Sequence, residues 1–253
     1  MTPESLRELL RRFRSGELSE DAALEELARL PFRELRDARV DTHRALRQGL
    51  PEVVLGLGKS VEQICEIVKA LESSGVNVLV TRVEPQAAHE VRRELPQLEH
   101  RPEARLLWLA QQPPHQPGGQ GESGSIAVVT AGTADSPVAE EAAVVAELFG
   151  NKVERLYDVG VAGLHRLLAS IDVLRSARVL IVVAGMEGAL PSVVGGLVGR
   201  PVIAVPTSVG YGTALGGVTA LLGMLASCAS NVTAVNIDNG FGAAFVATLI
   251  NRG

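Results

Sequence analysis

The sequence predicts an α/β protein whose C-terminal half is a doubly wound parallel sheet in a three-layer sandwich, preceded by a smaller α+β domain. The chain has 253 residues, is 46% hydrophobic and contains 26 glycines, a composition typical of compact globular proteins. From Ser125 onward, short apolar runs alternate with helical patterns, as in parallel sheets covered by helices on both faces. A stretch rich in Pro, Gly and Gln separates this half from a more charged N-terminal part.

The N-terminal domain is predicted to span residues 1–110 and to mix helices with short strands. The spacing of its apolar residues indicates helices, and its β-rich runs indicate strands. Cys65 lies next to Ile64 on the apolar face of one of these helices, so we predict that it packs in the core. The expected elements are helices at Pro3–Arg14, Ser19–Arg29 and Ser60–Ser73, a mixed segment at Val40–Leu55, and strands within "VNVLVTRV" and "ARLLWLA".

The predicted connector, residues 111–124, reads "QQPPHQPGGQGESG" and has no apolar periodicity. Such a composition is typical of a flexible linker. The C-terminal domain is then predicted to span residues 125–253. Its expected strands are "SIAVVTAG", "VERLYDV", "VLIVVAG", "PVIAVPTS" and "VTAVNI", and its expected helices are 136–149, 164–174, 188–198, 213–226 and 241–250. Ligands of such folds bind beyond the carboxyl ends of the strands.

Composition and charge exclude several classes of function. The net charge is −5 and aromatic residues make up 3% of the chain, which argues against a nucleic-acid surface. No apolar run of membrane-spanning length occurs without Gly, Pro or a charge, and the N-terminus lacks a signal-peptide core. Two widely separated cysteines match neither a metal site nor a disulfide framework. We therefore expect a cytoplasmic protein with no membrane or nucleic-acid partner and no metal ligands of its own.

The loops after the first two strands of the C-terminal half contain candidate binding residues. Thr133, Asp135 and Ser136 open a helix, where hydroxyls and backbone N–H groups bind phosphate or ribose. Helix capping alone, with Ser136 as N-cap before a proline, is an equal alternative. Gly160 allows close approach of the backbone to a ligand. His165, in the helix that follows, is more often a partly exposed polar residue than a base.

The loop after the third strand, "AGMEG", places Gly185, Met186 and Glu187 at the start of a helix. A carboxylate framed by small residues at a ligand-facing strand end is a candidate for proton transfer. Favourable interaction of Glu187 with the helix dipole alone is the competing interpretation.

The loop after the fourth strand, "PTSVGYG", contains Ser208, Gly210, Tyr211 and Gly212. Glycines and hydroxyls at the start of a helix favour a phosphate-binding loop. The sequence lacks the Walker and dinucleotide fingerprints, so this signal is weak by itself.

The half from Ser125 resembles the PurE family of aminoimidazole ribonucleotide carboxylases and mutases. The likeness rests on "AGMEGALPSVVGGLVGRPVIAVPTS", and "GTADSPVA" stands where that family has its Gly-Ser-x-Ser-Asp loop. PurE proteins have Ser-Ala-His-Arg-Thr-Pro after the second strand, whereas this chain has "VGVAGLHRL", with Val161 near the position of the catalytic His. A PurE-type carboxylase or mutase is therefore the alternative function.

Nearly the whole chain is similar to the LarB family, whose members make pyridinium-3,5-biscarboxylic acid mononucleotide for the nickel-pincer cofactor. The motifs are "DTHRALRQGLPEVVLGLGKS", "TAGTADSPVAEEA", "YDVGVAGLHRL", "AGMEGALPSVVGG", "PTSVGYG", and "SC" before "VNIDNGFGAA". This resemblance implies nicotinic acid adenine dinucleotide as substrate, with NAD as an analogue, and CO2 or bicarbonate as co-substrate. It implies a covalent role for Cys228, proton transfer by Glu187, Mg2+ as a candidate cofactor and, as in PurE-like proteins, a homo-octamer.

The position of Cys228 does not by itself favour a thiolate. Cys228 follows the C-terminus of a helix, and this end of the helix dipole does not lower the pKa of a thiol. It also precedes the last strand, on the edge of the sheet opposite the four loops. Two hypotheses follow: the positive pyridinium ring favours the thiolate, or the site lies between subunits. A non-catalytic nucleotide-binding scaffold is the remaining alternative. In the N-terminal domain, "GLPEVVLGLGKS" contains Glu52 and Lys59. Lys59 is a candidate for contact with a phosphate or with the nicotinate carboxylate, and a solvated lysine at a helix start is an equal alternative. We expect this domain to act as a lid over the site or in assembly.

Overall fold

The computed structural model describes residues 3–28, 32–113 and 124–252. The chain divides into two compact units, Met1–His115 and Gln116–Gly253. Most of the predicted connector, residues 114–123, lies outside the described residues. Its first two residues are held within the N-terminal unit, since the backbone N–H groups of Gln111 and Gln112 both donate to Asn77 Oδ1 at 2.8 Å. The predicted domain limits stay a prediction.

The N-terminal unit contains helices, a β-hairpin and a four-stranded mixed sheet. The hairpin pairs β1 with β2, and the sheet has the order β3-β4-β6-β5, with only the β3–β4 pair parallel. In chain order the elements are α1 (Pro3–Arg14), α2 (Glu20–Ala28), β1 (Phe32–Glu34), β2 (Arg39–Asp41), α3 (Arg44–Gln48), β3 (Val53–Leu55), α4 (Val61–Glu72), β4 (Val78–Thr81), α5 (Pro85–Glu94), β5 (Glu99–Arg101) and β6 (Leu106–Leu109).

Helix α4 forms for local reasons that the sequence already contains. Ser60 is its N-cap and accepts the N–H of Gln63, whose side-chain oxygen accepts the N–H of Ser60, a reciprocal capping box. Its apolar face, which includes Ile64 and Cys65, is buried in the core of the unit. Helix α5 was not predicted from the sequence, although its proline at the first turn is a helix-start signal.

The C-terminal unit is an α/β sandwich built on five parallel strands in the order β11-β10-β9-β7-β8. This confirms the predicted fold class. In chain order its elements are β7 (Ser125–Thr130), α6 (Ser136–Leu148), β8 (Lys152–Leu156), α7 (Leu164–Leu168), α8 (Ile171–Ser176), β9 (Val179–Ala184), α9 (Leu190–Leu197), β10 (Val202–Pro206), α10 (Val218–Leu225), β11 (Val232–Ala234) and α11 (Gly240–Arg252).

The strands differ in burial according to their position in the sheet. Every residue of β9 and β10 is buried, because central parallel strands are covered on both faces. The edge strand β8 is only partly covered and carries Lys152, Glu154 and Arg155. Burial therefore explains why the central strands read as continuous apolar runs.

Three predicted elements differ from the observed ones. The helix expected at 164–174 is two short helices, because Ser170 between them leaves helical geometry. The helix expected from residue 213 begins at Val218, after a 3-10 segment in which Leu215, Gly216 and Gly217 have positive φ. The strand "VTAVNI" ends at Ala234, after which the chain turns toward helix α11. No helix within the described residues is long and apolar enough to cross a membrane.

Candidate active site

The order of the strands reverses at β7, which has β8 on one side and β9 on the other. The loops after β7 and β9 therefore lead away from each other at the carboxyl edge of the sheet. Ligands of open α/β sheets bind in the crevice at such a reversal. The candidate residues of both loops, 131–136 and 185–189, lie at this point.

Asp135 connects the loops that surround the reversal. Its Oδ1 accepts the hydroxyl of Thr207 at 2.7 Å and its Oδ2 accepts the N–H of Gly132 at 3.0 Å. A further hydrogen bond comes from the backbone N–H of Gly185. Only 4% of Asp135 is exposed, and this burial raises the pKa of its carboxyl group, an effect that the three hydrogen bonds oppose. Asp135 therefore lies beneath the surface of the site, not on it.

Two of the predicted glycines bring the backbones of neighbouring loops together. A Cβ on Gly160 would lie 2.6 Å from the carbonyl oxygen of Ala131, and a Cβ on Gly185 would lie 2.3 Å from that of Val209. Gly210 has a φ of 150° and is packed against Met186, whose Sδ would lie 3.2 Å from an added Cβ. These glycines serve the close packing of the loops.

Three non-glycine residues at the carboxyl edge have left-handed backbone conformations. Asp158 follows β8 with a φ of 58°, Met186 follows β9 with 52°, and Asp238 follows β11 with 56°. Such conformations are uncommon for residues with a Cβ and cluster at functional sites. The strain therefore supports the assignment of this edge as the site.

The surface of this edge is formed by the other predicted residues. Thr133, Glu187 and Ser208 are exposed, as is Met186 at 40% and Tyr211 at 81%. Gly212 also lies on this exposed surface. The structure thus brings three of the loops, those after β7, β9 and β10, together with hydroxyl, carboxylate and aromatic groups on exposed residues.

Two details of the predicted loops are corrected. The N-cap of α6 is Asp135, one residue before the predicted Ser136, which is the first, partly buried residue of the helix. The loop 208–212 does not lead directly into a helix, because the 3-10 segment Gly212–Gly217 precedes α10. The amide groups at the start of α10 are therefore displaced from Ser208 and Tyr211, which weakens the expected helix-terminal phosphate site there.

Asp238 is a residue of the site that was not predicted from the sequence. Its Oδ1 accepts the backbone N–H of Ser208 at 2.8 Å, and its carboxylate raises the pKa of Asp135. The signal in the sequence is the "DNG" after the last strand, a typical turn motif at the ligand edge of the sheet.

Cys228 lies apart from these loops, in the segment between α10 and β11, and it is exposed. Its neighbours contact helix α9: Ser227 is hydrogen-bonded to Ser192 at 2.8 Å, and Asn231 donates to the carbonyl oxygens of Gly195 and Val198. Cys228 therefore precedes the amino end of β11, as expected.

Cys65 contrasts with Cys228 in its surroundings. It is 2% exposed, and burial, together with the carboxylate of Glu94, raises the pKa of its thiol to about 11. This confirms its predicted place in the core.

The candidate residues of the N-terminal unit belong to a local network of charged groups. Glu52 accepts the N–H of Asp41, and burial raises the pKa of the Glu52 carboxyl group, opposed by Arg44 and Lys59. Lys59 also lines a small cavity with Asp37 and other residues around the start of α4. The predicted contact of Lys59 with substrate stays a prediction.

The donor groups at the carboxyl edge do not form a Mg2+ site by themselves. Among the described residues no group of three His, Cys, Asp or Glu side chains is placed to hold a metal ion. Both oxygens of Asp135 accept hydrogen bonds from the protein. A Mg2+ ion would need substrate phosphates for most of its ligands.

Comparison with known proteins covers almost the whole chain. Residues 32–112 match the family model of the LarB/PurE-like N-terminal domain. Residues 125–252 match the AIR carboxylase family model. An uncharacterized protein of Methanocaldococcus jannaschii is 38% identical in sequence, over 98% of this chain and 98% of its own.

Proposed function

We propose that this chain, which belongs to the LarB family and has an AIR carboxylase domain as its C-terminal half, carboxylates a pyridinium nucleotide. Both families are carboxylating enzymes. The proposed substrate is nicotinic acid adenine dinucleotide, carboxylated at C5 of the pyridinium ring. Hydrolysis of the phosphoanhydride then gives pyridinium-3,5-biscarboxylic acid mononucleotide and AMP, for synthesis of the nickel-pincer cofactor.

The difference in accessibility between the two cysteines carries this proposal. A covalent mechanism needs a thiol that reaches the solvent and ionises, and the exposed Cys228 meets the first requirement. Cys65 meets neither, because it is buried and its thiol has a pKa of about 11. Neither cysteine is in a disulfide bond, which is consistent with the reducing cytoplasm that we propose as the location.

The reason for a thiolate lies in the electronics of the ring. A pyridinium ring is electron-poor and resists attack on CO2. Addition of the Cys228 thiolate at C4 forms a C–S bond and converts the ring into a dienamine whose C5 is nucleophilic. C5 then forms a bond to the carbon of CO2. Sulfur suits this role because it is both a soft nucleophile and a good leaving group.

Two steps restore the aromatic ring. A base removes the proton from C5, and the C–S bond breaks with its electron pair returning to sulfur. Glu187 is the proposed base, because its carboxylate is exposed at the carboxyl edge beside the strained Met186. The net change is replacement of one ring hydrogen by a carboxylate, with release of one proton.

The loops at the carboxyl edge are the proposed binding surface for the two phosphates and two riboses. The hydroxyls of Thr133 and Ser208 are exposed there, and the backbone carrying Ser208 is held by Asp238. Tyr211 offers an exposed ring for stacking on one of the two heterocycles.

We further propose that two subunits share each site, within the expected homo-octamer. Ser227 and Asn231, on either side of Cys228, contact α9, whereas Glu187 and Ser208 belong to the carboxyl-edge loops. Residues 201–237 contain no charged side chain and no histidine. Within them Leu222 and Leu225 are 60% and 65% exposed, which favours contact with another copy of the chain over contact with water.

The test is incubation of the purified protein with nicotinic acid adenine dinucleotide and bicarbonate. The expected products, separated by chromatography and weighed by mass spectrometry, are AMP and a mononucleotide heavier by one carboxyl group. Cys228→Ser should abolish carboxylation, and Cys65→Ala is the matched control that should retain it. Carboxylation at the normal rate by Cys228→Ser would reject the covalent mechanism.

The same assay separates the alternatives. Turnover of aminoimidazole ribonucleotide instead of the dinucleotide would identify a PurE-type enzyme, and binding without turnover of either compound would identify a scaffold. For the shared site, inactive Cys228→Ala and Glu187→Ala chains are mixed and allowed to exchange subunits. Recovered activity in the mixed oligomers is expected, and its absence in oligomers proven to be mixed would contradict sharing.

A further inference from the structure

The carboxyl group of Asp135 is surrounded by protein donors on both of its oxygens. Thr207 donates its hydroxyl to Oδ1 from the end of β10, and Gly132 donates its N–H to Oδ2 from the loop after β7. Gly185 donates its N–H from the end of β9. These donors come from the ends of three neighbouring strands, and Thr207 is 72 residues away in sequence.

Each donor lies within two residues of a residue that the proposed function uses. Gly132 precedes Thr133, Gly185 begins the loop that carries Glu187, and Thr207 precedes Ser208. A shift of this carboxyl group would therefore move the backbone of three binding or catalytic loops together.

Burial argues against direct contact between Asp135 and a ligand. Asp135 is 4% exposed and Thr207 is completely buried, whereas Thr133, Glu187 and Ser208 are exposed. A buried carboxyl group requires hydrogen-bond partners, and here the protein supplies them all.

We infer that Asp135 is a positioning residue, not the substrate-binding residue predicted from its place in the sequence. Together with Thr207 it holds the loops after β7, β9 and β10 in register, so that Glu187 and Ser208 meet the substrate in the geometry that the reaction needs. This inference rests on the proposed function for its kinetic consequences. The contacts that carry it are independent of which substrate is bound.

The burial of Asp135 has an electrostatic counterpart. A titratable group that acts on it is the carboxylate of Asp238, after β11. Desolvation and Asp238 both raise the pKa of Asp135. Substitution of the carboxyl group therefore changes charge as well as geometry, which makes Thr207 the cleaner position for a test.

The experiment compares Thr207→Val, which removes the hydroxyl at nearly constant volume, with Thr207→Ser, which keeps it. Loss of a buried hydrogen bond to a carboxyl group should lower kcat for the dinucleotide about 10- to 100-fold in Thr207→Val. KM should change by less than about threefold, because the exposed binding groups are still present. Thr207→Ser should recover most of the lost kcat, and melting temperatures report whether each variant is folded.

A double variant distinguishes positioning from ligand contact. If Asp135 and Thr207 act as one unit, Asp135→Asn combined with Thr207→Val should be no slower than the slower single variant. If Thr207→Val keeps a kcat within about twofold of the unaltered protein while Asp135→Asn raises KM, then Asp135 contacts the ligand and the inference is overturned. Should Thr207→Val not fold, Asp135→Asn alone decides: a lower kcat at constant KM supports the inference, and a raised KM at constant kcat overturns it.

Failure of the proposed function is recognised separately. If the unaltered protein does not carboxylate the dinucleotide, hydrogen exchange of the Gly132 and Gly185 amides replaces the kinetic readout. Both amides should then be protected in the unaltered protein and should exchange faster in Thr207→Val but not in Thr207→Ser. Equal exchange in all three proteins would overturn the inference.

Discussion

Helices α4 and α10 are each associated with one of the two cysteines, and they differ in what covers them. Helix α4 carries Cys65 in a buried apolar face, and its opposite face exposes charged residues such as Glu62 and Lys69. Helix α10, which precedes Cys228, buries Ala220 and Met224 but exposes apolar side chains. The outward positions are Val218, Leu222 and Leu225, exposed by 41%, 60% and 65%.

Cys65 and Cys228 are the same type of residue, so burial is what distinguishes a structural thiol from a candidate nucleophile here. The outer face of α4 is suited to contact with water, because its charged side chains are solvated there. The outer face of α10 has no charged group, so it is suited to contact with another apolar surface. The reactive role proposed for Cys228 and the proposed subunit contact therefore belong to the same segment of the chain.

The largest expected effect is the difference in thiol alkylation rate. At pH 7.5 a thiol with a pKa of about 11 is ionised in roughly one molecule in three thousand, and burial restricts access to Cys65 further. In the folded protein we expect iodoacetamide to modify Cys228 roughly a thousand times faster than Cys65, or more. Peptide mass spectrometry over time measures both rates.

Two controls make this comparison specific. Cys228→Ser should remove the fast phase, and unfolding in guanidinium should bring Cys65 to the rate of an ordinary thiol. Rapid modification of Cys65 in the folded protein would show that the core around α4 opens. It would contradict the expected difference in accessibility between the two cysteines.

The next largest expected effect is on the free energy of unfolding, after substitution of a leucine on the buried face of α4 or on the exposed face of α10. Leu71, on α4, is 1% exposed, and its replacement by Ala should lower the free energy of unfolding by about 2–5 kcal/mol. Leu222→Ala, on the exposed face of α10, should change the stability of a single protomer by less than about 0.5 kcal/mol. Urea unfolding of dilute protein measures both values.

Sedimentation of the same Leu222→Ala variant tests whether the outer face of α10 contacts another subunit. If the outer face of α10 contacts another subunit, the variant should dissociate at higher protein concentration than the unaltered chain. An unchanged assembly would place the subunit contact elsewhere.

A smaller effect is expected from the way the two helices begin. Ser60 caps α4 reciprocally with Gln63, so Ser60→Ala should destabilise the protein by about 1 kcal/mol. Helix α10 has no side-chain cap, because it starts after Gly217 with a φ of 96°. Thermal unfolding measures the loss. The double variant Ser60→Ala/Gln63→Ala should lose less than the sum of the single losses, and full additivity would contradict the capping box.

The smallest expected effect is a change in the pH dependence of stability that comes from the buried carboxyl group of Asp135. Because the pKa of Asp135 is raised on folding, its protonated form favours the folded state, and this contribution is lost as pH rises through the folded pKa. Asp135→Asn removes that titration. The stability of the variant relative to the unaltered protein should therefore increase from pH 4 to pH 7 in urea unfolding, and a decrease would contradict the sign of the shift.

Much of the fold could be predicted from the sequence because the signals are local. Continuous apolar runs indicated the strands β7, β9 and β10, and the helical spacing of apolar residues indicated α4. The start of α10 was predicted five residues too early, because the positive φ of Leu215 breaks the helix. A leucine in that conformation has no distinctive local signal.

The chemistry of the site could be predicted only in part. The exposed hydroxyls and Glu187 followed from their position after parallel strands, since strand ends of one direction meet at one edge. Asp238 was missed because its partner, Ser208, lies 30 residues away in sequence. Pairings of this kind depend on strand order, which the apolar pattern does not specify.

By itself the sequence determined the α/β class, the parallel sheet, the apolar face of α4 and, through its motifs, the family. These properties depend on periodicity and residue type within a few neighbours. Only the tertiary structure decided that Asp135 is buried among three loops, that Cys228 is exposed, and that α10 presents leucines outward. The physical reason is that burial and long-range hydrogen bonds arise from residues brought together by the order of the strands, and that order is a property of the packed chain.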